Sequence, residues 1–235
     1  MFLIIIVFTS IISAHELKID NIFWKNYNRL GISKVKNSFG GSTYLRLKRV
    51  TNNTFKDFRI YTHFYSESHD IIFRVKNSEK YERLRRLYNF RTYTYHKANQ
   101  NLRYHFNQGI GLFIYDDEKS KLTYELGLAY DMSEYLTTNN KTTYLKNSIS
   151  NDFERPFINI KLEVEYFHQM SNIENQDLSR FEISIETILK INNQLRMTFG
   201  VLNNIYPNNQ EVTFSKNKTS LYLCLETQSN LKWIY

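Results

Sequence analysis

The chain has 235 residues, of which 23% are charged and 16% aromatic, and its formal net charge at pH 7 is +8. After the N-terminus no apolar run reaches the ~18 residues of a membrane-spanning helix, which excludes a helical membrane protein. The positive charge is spread along the chain, so nucleic acid is not expected as a partner. The single cysteine, Cys224, excludes an internal disulfide and is interpreted as a small filler side chain.

Residues 1–14 form an apolar run that ends in small residues and is followed by a polar segment. This pattern is typical of a secretory signal peptide, with cleavage after Ala14, although no Lys or Arg lies near Met1. A membrane anchor or a buried strand is the alternative, but the run is too short to span a bilayer comfortably. The following segment, 15–40, is hard to interpret, and within it 28–37 is a candidate first strand.

From residue 41 onward, apolar and polar residues alternate in one segment after another, as in strands with two different faces. The clearest case is 157–167, where Ile158, Ile160 and Leu162 share one face and Lys161 and Glu163 share the other. Alternating segments are also found at 43–50, 58–65, 71–76, 84–96, 102–114, 122–131, 144–153, 181–191, 195–201 and 221–235.

The connections between these strands alternate in length. Short turns are predicted near 51–54, 116–119, 154–156 and 192–193, and longer loops near 133–142, 170–178 and 203–218. Neighbouring strands with short turns at one end and long loops at the other are typical of membrane barrels. We therefore predict an all-β fold: a single up-and-down antiparallel transmembrane β-barrel over 41–235. It has about 12 strands if 28–37 is included, and 10 are possible.

The C-terminal segment alternates up to the last residue and places Leu231, Trp233 and Tyr235 on its apolar face. Aromatic residues at the bilayer interface are typical of outer-membrane barrels. The three residues resemble the C-terminal signal read by the barrel-assembly machinery, which we expect as a partner during biogenesis. The predicted location is the cell outer membrane of a Gram-negative bacterium. Outer-membrane lipid is a further expected partner, and basic loops would suit anionic lipopolysaccharide.

Two stretches resemble a known family. Segment 107–135 contains Gly109 and Gly111, a turn, and then Gly127 and Tyr130; segment 163–200 contains a Tyr-Phe-His-Gln strand, a polar loop and two further strands. Their order is similar to that in the salt-induced outer-membrane proteins, domain-of-unknown-function family 481. The family's Gly-Asn-Thr-like segment near the first strand is not evident here, and 39–42 is its nearest counterpart. The resemblance implies an outer-membrane barrel but no established activity or catalytic residues.

Charged residues occupy the polar face of the predicted strands, and we expect them in the lumen. They are Arg103, Glu125, Lys161, Glu163, Glu165, Arg180, Glu182, Glu186, Arg196 and Glu226, with Arg59 on an earlier strand. Two interpretations stay open. The charges form a structural network of ion pairs, since a polar interior is usual in such barrels, or they line a narrow passage for small solutes.

No catalytic, metal-binding or cofactor-binding residues are predicted, and the chain is not expected to be an enzyme. The six histidines show no metal-ligand spacing, and alternating glutamates are expected on any polar strand face. The expected function is therefore envelope integrity or narrow solute passage. The alternatives are a secreted or periplasmic soluble β-barrel with its apolar face inward, and a membrane enzyme carried on a barrel.

Overall fold

The structure is a computed structural model that describes residues 24–35, 38–65, 69–98, 101–117, 119–133, 140–171, 177–207 and 218–231. The described residues form twelve β-strands. They are β1 (Trp24–Val35), β2 (Ser38–Val50), β3 (Thr54–Tyr65), β4 (His69–Lys80), β5 (Leu87–Ala98), β6 (Asn101–Asp116), β7 (Ser120–Ser133), β8 (Asn140–Glu154), β9 (Ile158–Gln169), β10 (Arg180–Lys190), β11 (Leu195–Ile205) and β12 (Lys218–Leu231). None of the described residues forms a helix long and apolar enough to cross a membrane.

Each strand pairs antiparallel with its neighbours in the chain, and β1 pairs with β12 to close the barrel. The closing register runs from Trp24 opposite Leu231 to Val35 opposite Ser220. An all-β, up-and-down antiparallel barrel of twelve strands is thus confirmed. Because the two ends of the sheet hydrogen-bond to each other, no strand edge among the described residues is left unpaired.

The N-terminal candidate strand at 28–37 corresponds to β1, which begins earlier, at Trp24. The barrel therefore already includes part of the segment 15–40. The predicted strand at 71–76 is also longer in the structure, because β4 extends from His69 to Lys80. In both strands a polar residue lies among the apolar, outward-facing ones: Asn28 in β1 and Asn77 in β4. Because of these residues, the alternation of apolar and polar residues is hard to recognise in the sequence.

The connections define two ends of the barrel. The turn end carries the turns at 51–53, 81–86, 117–119, 155–157 and 191–194, together with Trp24 and Leu231. At the opposite end, called here the loop end, the longer connections follow β7, β9 and β11, whereas only two or three residues separate β1 from β2, β3 from β4 and β5 from β6. The difference in length between the two ends is therefore confined to the second half of the chain.

Side-chain hydrogen bonds order several of these turns. The Asp117 carboxylate accepts hydrogen bonds from the Tyr115 hydroxyl and from the backbone N–H groups of Lys119 (2.7 Å) and Ser120 (2.6 Å). The tyrosine hydroxyl, and then the two N–H groups, hold the pKa of Asp117 below its usual range. The Asn192 side-chain oxygen accepts the N–H of Leu195 at 2.7 Å in the same manner. Both side chains stabilise a tight turn that joins two antiparallel strands.

The apolar register faces outward and the polar register faces the lumen. Leu30, Leu128 and Leu225 are 69%, 51% and 55% exposed, whereas Lys146 and Glu226 on the inner face are 0% and 1% exposed. A soluble sheet barrel would show the reverse. Burial of the outer leucines and aromatics therefore requires an apolar medium around the barrel.

Two inward glycines make room for tyrosine rings. A Cβ at Gly111 would lie 2.1 Å from Cζ of Tyr88, and a Cβ at Gly200 would lie 2.0 Å from Cζ of Tyr222. The Tyr88 ring of β5 lies over Gly111 of the neighbouring strand β6, and the Tyr222 ring of β12 lies over Gly200 of the neighbouring strand β11. These positions require glycine because of the close approach of an aromatic ring.

Candidate functional site

The lumen contains a cavity of about 540 Å³. Its lining extends from Thr51 and Asn53 at the turn end to Tyr65 and Asn204 near the loop end. A second cavity, of about 750 Å³, lies between the turns at 51–53 and 81–86 and shares part of this lining, including Lys80. The lining residues of the two cavities thus extend from the turns at one end of the barrel to near the loop end, and the second cavity lies at the turn end.

Arg29 of β1 is held between two carboxylates. Its Nε donates to Glu226 at 2.5 Å, and Nη1 and Nη2 donate to the two oxygens of Glu186 at 2.7 and 3.2 Å. Tyr222 donates its hydroxyl to Glu186 at 2.5 Å, and Arg196 lies 3.6 Å from Glu226. We call these five residues the Arg29 cluster; it joins β1, β10, β11 and β12 across the closure of the barrel.

Asp57 of β3 is held between two arginines. Arg46 donates to both of its oxygens, at 2.6 and 3.0 Å, and Arg59 approaches it at 2.5 Å. Asp57 is 2% exposed. Two guanidinium groups against one carboxylate leave net positive charge on this part of the wall.

A third cluster is centred on Lys146 of β8, which is fully buried. Its ammonium group contacts Glu165 and lies 3.9 Å from Glu125. Lys76 approaches Glu125 at 2.5 Å, and the Tyr88 hydroxyl donates to the same carboxylate at 2.9 Å. The cluster connects five strands, from β4 to β9, through side chains alone.

A fourth cluster lies nearer the loop end, around Asp131 of β7. Its carboxylate contacts His105 and receives Arg103 at 2.5 Å and Arg180 at 3.5 Å. Arg180 also donates to Glu182 at 2.7 Å. Its guanidinium lies over the rings of Phe167 (4.3 Å) and Tyr144 (5.0 Å), which adds cation–π attraction to the ion pairs.

Arg74 bridges the lumen. It belongs to β4, and its Nη2 lies 3.8 Å from Glu165 and 4.0 Å from Glu163, both on β9. In the order of the barrel these strands are five positions apart out of twelve, so they face each other across the interior. The bridge therefore narrows the passage. The contacts are longer than hydrogen bonds, so the guanidinium is held by charge alone.

The ten charged residues singled out in the sequence all have inward positions. Glu186, Arg196 and Glu226 belong to the Arg29 cluster; Glu125 and Glu165 contact Lys146; Arg103, Arg180 and Glu182 surround Asp131; Glu163 faces Arg74; and Lys161 lines the central cavity. Leu231 of the C-terminal segment ends β12 opposite Trp24. Trp233, Tyr235 and the predicted signal peptide lie outside the described residues.

Several central side chains were not singled out from the sequence. Arg29, Asp57, Lys146 and Asp131 each organise a cluster, and Arg74 crosses the lumen. In the sequence these residues differ from others only in that they occupy alternate positions on the inward side of a strand. That side can be assigned only when the bounds of the strand are known. Arg29 was hidden because β1 was only a candidate, and Lys146 because β8 alternates weakly.

The described histidines, cysteine and acidic residues include no group of three that could hold a metal ion. The thiol of Cys224 lies buried beside the Ser42 hydroxyl at 3.5 Å. The carboxylates on the lumen wall contact mainly arginine and lysine side chains, which is the arrangement of a charged lining.

No protein-family model matches the sequence, and a search of curated proteins finds no relative. Solved structures do match. The KdgM porin, solved in complex with disordered oligogalacturonate, aligns at a TM-score of 0.51 and 12% identity over 86% of this chain and 98% of that chain. The NanC porin aligns at 0.58 and 8% identity, over 85% and 98%. An outer membrane channel from Pseudomonas putida F1 aligns at 0.54 and 6% identity, over 94% and 100%.

At these identities the similarity establishes the fold alone. The resemblance to the salt-induced outer-membrane proteins stays a prediction. The fold of this chain is that of the porin-like outer-membrane β-barrels.

Proposed function

We propose that this protein is a channel of the bacterial outer membrane that lets small solutes pass through its lumen. The observation that carries the proposal is the continuous cavity of about 540 Å³, lined by charged and polar side chains from the turn end to near the loop end. A barrel built only as a scaffold has no need of a cavity of this extent. The porin-like fold supports the same function.

The outer wall supports the membrane location. Leu128, Ile149 and Phe199 lie on three different strands and are 51%, 48% and 49% exposed. Transfer of such side chains from water to lipid is favourable by roughly 25 cal/mol for each Å² removed from water. The signal peptide proposed for residues 1–14 and the barrel-assembly signal ending at Tyr235 fit the same route to the outer membrane. The turn end would then face the periplasm and the loop end the exterior, where lipopolysaccharide is the expected neighbour.

The geometry limits the solutes to small ones. Arg74 reaches across the lumen to Glu163 and Glu165, and the four ion-pair clusters lie on the surrounding wall. A solute must pass beside these groups without breaking them, since each is embedded in a partly dehydrated wall. We therefore assign narrow passage and not the wide, unselective diffusion of a large porin.

A closed structural barrel is the second candidate. It is favoured by the density of ion pairs, because the clusters around Lys146 and Asp131 place many paired charges on the inner wall between β4 and β10. The two candidates differ in one measurable property, the flux of solute through the folded protein.

Two experiments test the proposal. The first fractionates cells that express the full chain and compares boiled and unboiled samples of the outer membrane on a gel; a folded barrel changes mobility on boiling. The second incorporates the folded protein into liposomes and follows entry of uncharged sugars of increasing size. We expect entry of monosaccharides that falls steeply with size. Outer-membrane location without entry of any sugar would favour the closed structural barrel.

A further inference from the structure

Four charged residues on the inward register of the cavity wall have no oppositely charged group closer than 4.0 Å among the residues that the structure describes. Lys48, Lys161 and Asp152 lie farther than 4.0 Å from any group of opposite charge, and Glu163 has its nearest, Arg74, at 4.0 Å. All four line the same cavity. They contrast with the other lumen carboxylates, most of which accept close contacts from arginine or lysine.

These groups lie in one stretch of the passage. Asp152 of β8 is directly opposite Lys161 of β9 in the strand register, and Glu163 is two residues further along β9 on the same face. Alternate residues of a strand are about 6.7 Å apart. Lys48 is on β2, across the lumen from β9, two residues before the end of its strand at the turn end. The stretch thus presents two ammonium and two carboxylate groups around one space.

Lys48, Lys161 and Glu163 are half-buried, whereas Asp152 is exposed. An unpaired charge in a half-buried wall is costly, and a ligand of opposite charge relieves that cost. A simple anion would satisfy the lysines and leave both carboxylates unmatched, and a simple cation would do the opposite. A solute that carries both charges satisfies both sets. The cavity lining as a whole also carries nearly balanced numbers of basic and acidic residues, which argues against a preference for one sign.

We propose that Lys48, Lys161, Asp152 and Glu163 form a binding site for a small zwitterion of about the length of a dipeptide. Its carboxylate contacts the two lysines and its ammonium contacts Glu163, whereas Asp152, directly opposite Lys161 in the strand register, lies at the lysine end of the site. The charged ends of a dipeptide are at most about 7 Å apart, which matches the spacing of Lys161 and Glu163 along β9. This assignment rests on the proposed channel function and gives it a solute class.

The probe is glycylglycine together with its three capped forms, which share one backbone. The free form is a zwitterion, the N-acetyl form an anion, the amide a cation, and the doubly capped form neutral. Binding to the full chain folded in detergent micelles is measured by calorimetry. We expect the zwitterion to bind about tenfold more tightly than either singly charged form, because each cap removes a hydrogen bond between charged groups. The neutral form should bind more weakly still.

Substitutions then separate the two halves of the site. The amide form lacks the carboxylate, so Lys161→Gln should abolish the tighter binding of the zwitterion relative to the amide form. The N-acetyl form lacks the ammonium group, so Glu163→Gln should abolish the tighter binding of the zwitterion relative to the N-acetyl form. Lys48→Gln is a second probe of the carboxylate side, should Lys161→Gln fail to fold. Lys56→Gln, an exposed lysine on the outer face, is the matched control and should change nothing.

Equal binding of the N-acetyl form and the zwitterion would overturn the proposal in favour of an anion site. Absence of binding by every form, or an unchanged pattern in Lys161→Gln and Glu163→Gln, would also overturn it. Liposome flux of uncharged sugar tests the channel separately. Binding without flux would refute the channel and keep the site, whereas flux without binding would refute the site and keep the channel.

Discussion

Removal of Arg29 should strongly destabilise the folded barrel. Its guanidinium side chain is 4% exposed and lies between Glu226, 1% exposed, and Glu186, 15% exposed. In Arg29→Leu both carboxylates lose their main partner while staying inside the wall. Breaking a buried ion pair by removing one partner costs about 3–5 kcal/mol, and we expect a loss in this range.

The measurement is the denaturant midpoint of the full chain in detergent micelles, followed by the shift in gel mobility that accompanies unfolding. Arg83→Leu, in the exposed turn between β4 and β5, serves as the control and should change stability by less than about 0.5 kcal/mol. The triple variant Arg29→Leu, Glu186→Gln, Glu226→Gln should recover much of the loss, because neither carboxylate is then a buried charge that lacks its main partner; only Arg196 loses its 3.6 Å contact with Glu226. Equal midpoints for Arg29→Leu and Arg83→Leu would refute the stabilising role of the cluster.

Three further substitutions test the lumen and the turns. Arg74→Ala should raise single-channel conductance, because it removes the side chain that crosses the passage, whereas Arg83→Ala should leave conductance unchanged; a fall in conductance would count against a constriction at this point. Gly200→Ala should destabilise the barrel by about 1–3 kcal/mol, since the new methyl group collides with the tyrosine ring above it. Gly41→Ala is its control, with nothing within 4 Å of the added atom; similar unfolding midpoints for the two variants would contradict the packing argument. Asp117→Ala should lower the unfolding midpoint at pH 7. A carboxyl with a lowered pKa stabilises the fold above its unfolded pKa, so the deficit should shrink as pH falls through the acidic range, and a deficit that does not change with pH would refute the role of this carboxylate.

The fold could be predicted from the sequence because two-residue periodicity is set by backbone geometry. In β9 the residues Ile160 and Leu162 lie outward and Lys161 and Glu163 inward, as their parity indicates. The predicted strand ends differ more from those in the structure wherever polar residues lie on the outward face of a strand, as Asn77 does in β4. A pattern rule cannot separate such a residue from a turn.

The arrangement of the lumen could be predicted only in part. Inward parity assigns a residue to the interior, but it does not decide which charges meet there. Arg29 and Glu186 are 157 residues apart in sequence, and their pairing depends on closure of the barrel and on the stagger between strands. The contact of Arg74 with β9 further depends on how closely the two walls approach, a property of the whole sheet.

Electrical recording from the full chain in a planar lipid bilayer tests the central claim most directly. Folded protein, verified by its change in gel mobility on boiling, is added to the bilayer, and boiled protein is the control. A water-filled passage along the lumen predicts discrete, uniform steps of current from the folded sample alone. Insertion of folded protein with no current steps would contradict the channel and identify the barrel as a closed structural element of the envelope.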